Sequence, residues 1–440
     1  MKKTALIIAA ADGILSLQTG VGVIVNTFFE AFTEIYKLLG QQVFDLHAIC
    51  PLVNSDSTDF SSYAHSIVMN KCKEYGGRLT TIKSFTSGNS LNEIWKGTAQ
   101  YTPSEIWDQY CIELAEAAKI MSLQYKRVVL ITHDTLFVNV SKYMQASNIH
   151  VCWIPHSLAT LFAAPNQVER FQFEKKSIKN IIQRNDYIGF ISTQTKEHLL
   201  TRYDFPERGI LSFYSGIFFN SVRYKSKGLL ESFFEKYSIP TNKELIFSWG
   251  RCSHQKGIDI IVQSYIKLLK KQPHLSDKYH LLLLCPTETT YSDYLNEIKN
   301  LLCQLPEKSF TFITEFQNKI QYEILAYKKL SIVLLCSRYE SFGLTSIEAI
   351  FKAQNNTHIV YSPIPTFHEV LQSFPNTSSL GGITEIHLQN LLLYLINNSP
   401  EKAIQTEVLQ KLEKKFSLVK NHSLGLINLL KITEKYEIEE

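Results

Sequence analysis

The sequence predicts an α/β protein made of two doubly wound parallel sheets in tandem. Short apolar, β-branched runs alternate with longer helix-like segments along nearly the whole chain, the pattern of parallel strands joined by crossover helices. A polar stretch from Tyr224 to Lys243, containing Ser238-Ile239-Pro240-Thr241-Asn242, interrupts the alternation once, after which it resumes. At 440 residues the chain is long enough for two or three domains of ~100–200 residues each. The expected domains are 1–228 and 240–412, with a closing helical segment over 413–440.

The first half opens with Met1-Lys2-Lys3 and the apolar run Thr4–Ala11. A basic start and an apolar run have the outline of a secretory leader. This run is short and ends at Asp12-Gly13, so it reads as the first strand. Gln18-Thr19-Gly20-Val21-Gly22 then forms a Gly-x-Gly turn leading into a helix. Further strands fall at Val43–Ile49, Arg127–Thr132, His150–Ile154 and Asp186–Ser192. Residues 51–110 read as loop-rich and aromatic, with Ser55-Asp56-Ser57-Thr58-Asp59, Gly76-Gly77, Ser87-Gly88-Asn89-Ser90, Trp95 and Trp107. Loops of that kind carry specificity, but their composition names no ligand.

The second half repeats the scheme with strands at Glu244–Trp249, Tyr279–Cys285, Ser309–Ile313, Ser331–Cys336 and His358–Ser362. Two of its strand-to-helix junctions carry chemistry. After Ser331–Cys336 come Ser337-Arg338-Tyr339-Glu340-Ser341-Phe342-Gly343 and an amphipathic helix over Thr345–Lys352, with Glu348 inside it. A tight glycine turn before a helix N-terminus is an anion site, because free N–H groups and the helix dipole favour negative charge. Two carboxylates beside such a site need a separate task. Accepting hydrogen bonds from sugar or ribose hydroxyls is one. A helix start with stabilising acidic residues is the plainer reading of the pair alone. After Glu244–Trp249 comes Gly250-Arg251-Cys252-Ser253-His254-Gln255-Lys256-Gly257, followed by a helix from Ile258 with apolar residues at Ile258, Ile261, Tyr265, Leu268 and Leu269. Arg251 and Lys256 on a loop between two glycines can grip a diphosphate from both sides.

Together these junctions resemble the signatures of the retaining GT-B-fold glycosyltransferases, the family 4 and starch/glycogen synthase superfamily. The glutamates match its Glu-x7-Glu, and Gly250, Arg251, Lys256 and Gly257 match its Gly-Arg-x4-Lys-Gly. The resemblance implies two Rossmann-like domains facing across a cleft, and assigns roles. Glu340 would bind donor-sugar hydroxyls and Glu348 the ribose. The N–H groups of Phe342, Gly343, Leu344 and Thr345 would meet sugar and diphosphate, which Arg251 and Lys256 would neutralise. Gly20 and Gly22 resemble the Lys-Thr-Gly-Gly-Leu-Gly loop that approaches donor phosphates, although Gln18 stands at the lysine position and one glycine is missing. Ile154-Pro155-His156 resembles the histidine that touches the donor sugar, and Thr132-His133-Asp134 resembles the His-Asp that follows a strand. Lys415–Lys420 and the helix after it resemble the closing helix that crosses back onto the N-terminal domain.

The implied function is transfer of a hexose-type sugar from a nucleotide-diphosphate donor, with a UDP-sugar the expected one, to a hydroxyl acceptor: a saccharide, lipid-linked glycan, small molecule or protein. Configuration would be retained. No cofactor is implied, and no metal, since the chain has no Asp-x-Asp. Other readings on the same fold are an ADP-glucose-dependent glucan synthase, a sugar phosphorylase and a nucleotide-sugar epimerase. A non-catalytic sugar-nucleotide-binding subunit is the reading from another class.

Composition narrows the partners. A net charge of +4 leaves no nucleic-acid footprint, and no apolar run approaches the ~20 residues that span a bilayer. Eight cysteines without Cys-x-x-Cys spacing suit free thiols in a reducing, cytoplasmic setting. The basic run Lys411–Lys420 is more simply a solvated helix face than a peripheral patch on anionic lipid; both stay open, as does a partner subunit that completes the site.

Overall fold

The computed structural model describes residues 2–40, 44–83, 91–161, 167–223, 228–287, 292–315, 317, 319–398 and 406–435. Met1, Val43, Ser87–Ser90, residues 224–227 of the polar stretch and the last residues of the closing segment, which figure in the sequence reading, lie outside that set. The chain divides into two compact units, Met1–Phe218 with Phe416–Glu440, and Phe219–Lys415.

The first unit holds seven strands: β1 (Lys2–Ala9), β2 (Phe44–Pro51), β3 (Leu79–Ile82), β4 (Tyr125–His133), β5 (Ile149–Ile154), β6 (Tyr187–Phe190) and β7 (Ile210–Ser212). They pair in parallel in the order β3-β2-β1-β4-β5-β6-β7. Its central strands are buried on both faces, Ala5–Ala9 and Val128–Ile131 alike, as a parallel sheet covered by helices on either side requires. The second unit holds β8 (Glu244–Trp249), β9 (Tyr279–Leu284), β10 (Phe310–Ile313), β11 (Leu330–Leu335), β12 (His358–Tyr361) and β13 (Thr377–Ser379). Its order is β10-β9-β8-β11-β12-β13, again parallel.

Each sheet reverses its winding once, between β1 and β4 in the first unit and between β8 and β11 in the second. At such a reversal the loops leaving the carboxyl ends of the two strands diverge, which opens the crevice where doubly wound sheets bind ligands. The loops after β8 and β11 are those that carry the two motifs.

The division falls at Phe218/Phe219, ten residues before the expected 228. Packing explains it. The short helix Phe219–Arg223 already belongs to the second unit, its Phe219 ring 4.6 Å from Phe351 and its Val222 carbonyl accepting from Lys352 Nζ at 2.6 Å. The helix Leu229–Lys236 sets Phe234 against Tyr327. At the other end the chain rejoins the first unit at Phe416 rather than 413. The Ile217 N–H donates to the Phe416 carbonyl at 2.9 Å, and the Leu418 N–H to the Ile217 carbonyl at 3.1 Å. The helix Leu418–Lys435 then buries Leu418, Leu426, Leu429 and Leu430, and Arg127 donates to its Leu430 carbonyl at 3.2 Å.

Residues 51–110 are not mainly loop. They contain β3 and the helices Ser62–Glu74, Leu91–Lys96 and the start of Pro103–Ser122. The first of these buries Ala64, Val68 and Cys72 at i, i+4 and i+8 amid polar residues, a stripe too thin to stand out. The third carries a capping box in which Thr102 and Glu105 bond reciprocally, with Pro103 at the helix start.

Candidate functional site

The site is built on the second unit at the reversal between β8 and β11. The chain leaves β8 through Gly250 (φ 133°), makes a single turn over His254–Lys256 and enters the helix Ile258–Lys271 through Gly257 (φ 65°). Gly257 is doubly constrained. A Cβ there would stand 2.2 Å from the Cys336 carbonyl oxygen at the end of β11, in a backbone region that side chains rarely adopt. The second loop leaves β11 at Cys336 and enters the helix Leu344–Lys352 through Gly343 (φ 75°).

A clip fastens the two loops. Arg338 Nη2 and Nη1 donate to the two carboxylate oxygens of Asp259 at 2.6 and 2.9 Å, and Nη1 also reaches the His254 carbonyl at 2.6 Å. The Tyr294 hydroxyl donates to Asp259 at 2.7 Å. Burial pushes the Asp259 carboxyl upward, but the Arg338 fork and the Tyr294 hydroxyl outweigh it and hold the group below its usual value. The Arg338 N–H donates to the Gln255 carbonyl at 2.7 Å, and the Gln255 amide to the Tyr339 carbonyl at 3.1 Å.

Held this way, the loops bring Lys256 and Glu340 together, Nζ to Oε1 at 2.5 Å, with the Ser337 hydroxyl donating to the same oxygen at 2.7 Å. Their side chains are 16% and 9% exposed. Glu348 lies deeper. Its oxygens accept from the Tyr322 hydroxyl at 2.8 Å and the Trp249 indole N–H at 3.2 Å. Burial raises its carboxyl from the usual 4.5 to about 7, against the pull of those two donors and the Lys256 charge. Arg251 sits half-buried on the loop that carries Lys256. Phe342 and Gly343 are buried, while Leu344 and Thr345 are half-buried at the helix opening. Thus Lys256, Glu340, Glu348 and the helix start share one end of the sheet, the end where free N–H groups gather.

Sequence reasoning missed Trp249, Tyr322, Asp259 and Ser337. Trp249 stands next to Gly250 in the motif, a position that could have flagged it. Tyr322 lies on the separate helix Ile320–Leu325, and Asp259, in the first turn of the helix after Gly257, gave no sequence sign of its partner Arg338.

The remaining residues singled out by sequence lie in the first unit. Gly20 and Gly22 belong to the first turn of the helix Gly20–Glu30, capped by Thr19, rather than to a turn before it. The Asp12 carboxylate accepts from the N–H groups of Gly13 (2.9 Å), Gln18 (3.2 Å) and Thr19 (2.7 Å), and from the hydroxyls of Ser16 and Thr19 (both 2.7 Å). Gly22 is glycine because a Cβ would fall 2.3 Å from that carboxylate, whereas the space beside Gly20 is open. Gln18 donates to Asp59 at 2.7 Å. His156 is buried, its Nε2 2.8 Å from His133 Nδ1. Burial lowers its ring to about 3 and that of His422 likewise, and lowers His133 well below the usual value, so these imidazoles are neutral.

The backbone beside His133 is unusual. Asp134 holds φ 59°, and its carboxylate accepts from the Ser157 hydroxyl at 3.1 Å. Arg170 donates to the Ser157 carbonyl at 2.7 Å and to the buried Glu174 at 2.6 Å. This network joins the loops that follow β4 and β5.

Among the described residues no helix is long and apolar enough to cross a membrane. The basic run is split: Lys415 pairs with Glu369 at 3.2 Å, while Phe416 and Leu418 beyond it are buried.

Comparison with known proteins bears on this arrangement. Residues 231–401 match the family model described as glycosyl transferases group 1. An O-antigen chain mannosyltransferase of Salmonella typhimurium is 25% identical over 268 residues, 60% of this chain. The match spans 64% of that relative's length, less than two thirds. Among solved structures, an α,α-trehalose-phosphate synthase (UDP-forming) of Burkholderia vietnamiensis superposes with a TM-score of 0.64 at 10% identity, covering 98% of this chain and 99% of that one. A trehalose-6-phosphate structure from E. coli bound with UDP-2-fluoroglucose gives 0.63 at 12% identity, with 98% of each chain covered. The chain has the GT-B fold, and its residues 231–401 are similar to the glycosyl transferases of group 1.

Proposed function

We propose that this protein moves a hexose-type sugar from a UDP-linked donor to a hydroxyl acceptor with retention of anomeric configuration. The observation that carries this reading is the convergence of Lys256, Glu340 and Glu348 at the winding reversal between β8 and β11. In the proposal Arg251 and Lys256 neutralise the leaving diphosphate together with the N–H groups from Phe342 to Thr345, and fixed charge takes the place of a divalent ion. Glu348 accepts from the ribose hydroxyls, and Glu340 accepts from and orients the sugar. The bond from the anomeric carbon to the diphosphate oxygen breaks while the acceptor oxygen bonds to that carbon from the same face. The acceptor's proton passes to the departing phosphate oxygen, so no side chain need act as base.

His156 is assigned to the sugar. Its place after β5 and the resemblance support that role, and Gly20, with open space beside it, is assigned to backbone approach of the donor. Gly22 is accounted for by Asp12. Support for uridine comes from the UDP-forming synthases of the same fold. The O-antigen chain mannosyltransferase supports a mannose-type sugar and a saccharide acceptor, and the structure bound with UDP-2-fluoroglucose supports a glucose-type sugar. A cytoplasmic setting is proposed on the eight cysteines, all free thiols and seven of them buried.

The test is a thermal-shift panel of UDP-, GDP-, ADP- and dTDP-linked sugars. A ligand at about 100 times its Kd adds about 2.7 kcal/mol. One nucleotide class should stabilise the protein, and the double variant Arg251→Ala with Lys256→Ala should abolish the shift and lower turnover by about 10²–10³ or more. Unchanged binding in that variant would show the diphosphate site to be wrong.

A further inference from the structure

The ion pair between Lys256 and Glu340 joins two residues that the proposed reaction uses for different parts of the donor. Lys256 serves the diphosphate and Glu340 the sugar, yet within the chain their charges meet at 2.5 Å. Ser337 fixes the carboxylate by donating to the same oxygen. The methylene stem of the lysine runs over Gly250, with Cγ, Cδ and Cε all within 3.6 Å of where a Cβ would stand on that residue. Both side chains are largely withdrawn from water, so separating them or crowding the carboxylate with a second anion carries a cost that an exposed pair would not.

We infer that Glu340 also determines selectivity between donor and product: its pairing with Lys256 makes a bare nucleoside diphosphate a poorer ligand than the same diphosphate bearing a sugar. The inference rests on the reading above that Lys256 holds the diphosphate. A diphosphate that engages the Lys256 ammonium competes with Glu340 for it and sets negative phosphate oxygens beside a partly desolvated carboxylate. The sugar-bearing donor brings its own compensation, because its hydroxyls donate charge-assisted hydrogen bonds to Glu340. Once the sugar has left on the acceptor, that compensation leaves too. Glu340 then reclaims Lys256, and the product is released.

The test is calorimetric titration of UDP, GDP, ADP, their sugar-linked forms and inorganic pyrophosphate into the wild-type chain, Glu340→Gln, Lys256→Gln and the double variant. Glu340→Gln should bind pyrophosphate and the preferred diphosphate on the order of tenfold more tightly, and its preference for the sugar-linked form should shrink. In the Lys256→Gln background the same change should tighten diphosphate binding by less than it does in the wild-type chain, because two uncoupled effects would simply add. If Glu340→Gln fails to fold, Glu340→Asp, which keeps the charge but draws it back by one methylene, should also tighten diphosphate binding. Unchanged or weaker diphosphate binding in whichever of these variants is folded overturns the inference. Lys256→Gln separates the two failures. If it weakens diphosphate binding while Glu340→Gln does not tighten it, only this inference falls; if Lys256→Gln has no effect, the donor-site reading falls as well.

Discussion

Glu348 shows how one side chain can set a pH response. Its neighbours donate hydrogen bonds that favour the charged form, yet burial wins and raises its carboxyl to about 7. The folded chain therefore holds a proton between pH 4.5 and about 7 that the unfolded chain has released. Stability then falls as pH rises through that window, by up to about 3 kcal/mol. Glu348→Gln keeps the shape and removes the titration, so its melting temperature relative to wild type should increase from pH 5 to pH 8. On the proposed role of Glu348 at the donor ribose, donor affinity should run the other way. The charged carboxylate is the better acceptor for ribose hydroxyls, so wild-type donor binding should strengthen from pH 6 to 8, and titrations of Glu348→Gln over the same range should lack that step.

At the scale of elements, the strands were legible because a parallel sheet buried on both faces leaves continuous apolar runs such as Ser331–Cys336 and Tyr279–Cys285. The short edge strands β3, β7 and β13 leave no such run. Thr377-Ser378-Ser379 carries no apolar residue, and only its pairing with β12 makes it a strand. The candidate site divides in the same way. Gly250–Gly257 and Glu340–Glu348 are contiguous motifs and could be read directly. The bonds from Arg338 to Asp259 and from Tyr322 to Glu348 span 79 and 26 residues and exist only once the fold brings them together. Likewise nothing in the sequence near Gly22 shows that Asp12 fills the loop before it.

The helix Leu418–Lys435 carries its own prediction. It inserts His422 between the rings of Phe28 (5.7 Å) and Phe213 (6.0 Å). Burial, together with the neighbouring His156, lowers that ring to about 3. His133, His156 and Arg127 of the sheet and its loops belong to the same unit. Because the unfolded histidine takes up a proton near pH 6.5 and the folded one does not, stability falls as pH drops from about 6.5 toward 3. His422→Phe should therefore lose less melting temperature than wild type between pH 7.5 and pH 5. An equal loss in both would mean that this imidazole is not what acid acts on.

At the scale of the whole molecule, the two units carry titrating groups of opposite sign. Between pH 4.5 and 6.5 a rise in pH favours the first unit through its buried histidines and disfavours the second through Glu348. The units also differ in how the chain builds them. The second is one continuous segment, Phe219–Lys415, whereas the first is assembled from both sides of it. On a ribosome this reverses the expected order of completion. The sheet of the first unit emerges early, but the helix that covers Phe28 and Phe213 follows only after the whole of Phe219–Lys415, a delay of roughly 10–40 s at ordinary rates of synthesis. During that interval the second domain can finish while the first waits with an apolar face uncovered. Nascent chains arrested just before Phe416 should accordingly bind chaperones through the first domain and be cleaved there by protease. Chains arrested late enough for Leu418–Lys435 to emerge should resist both.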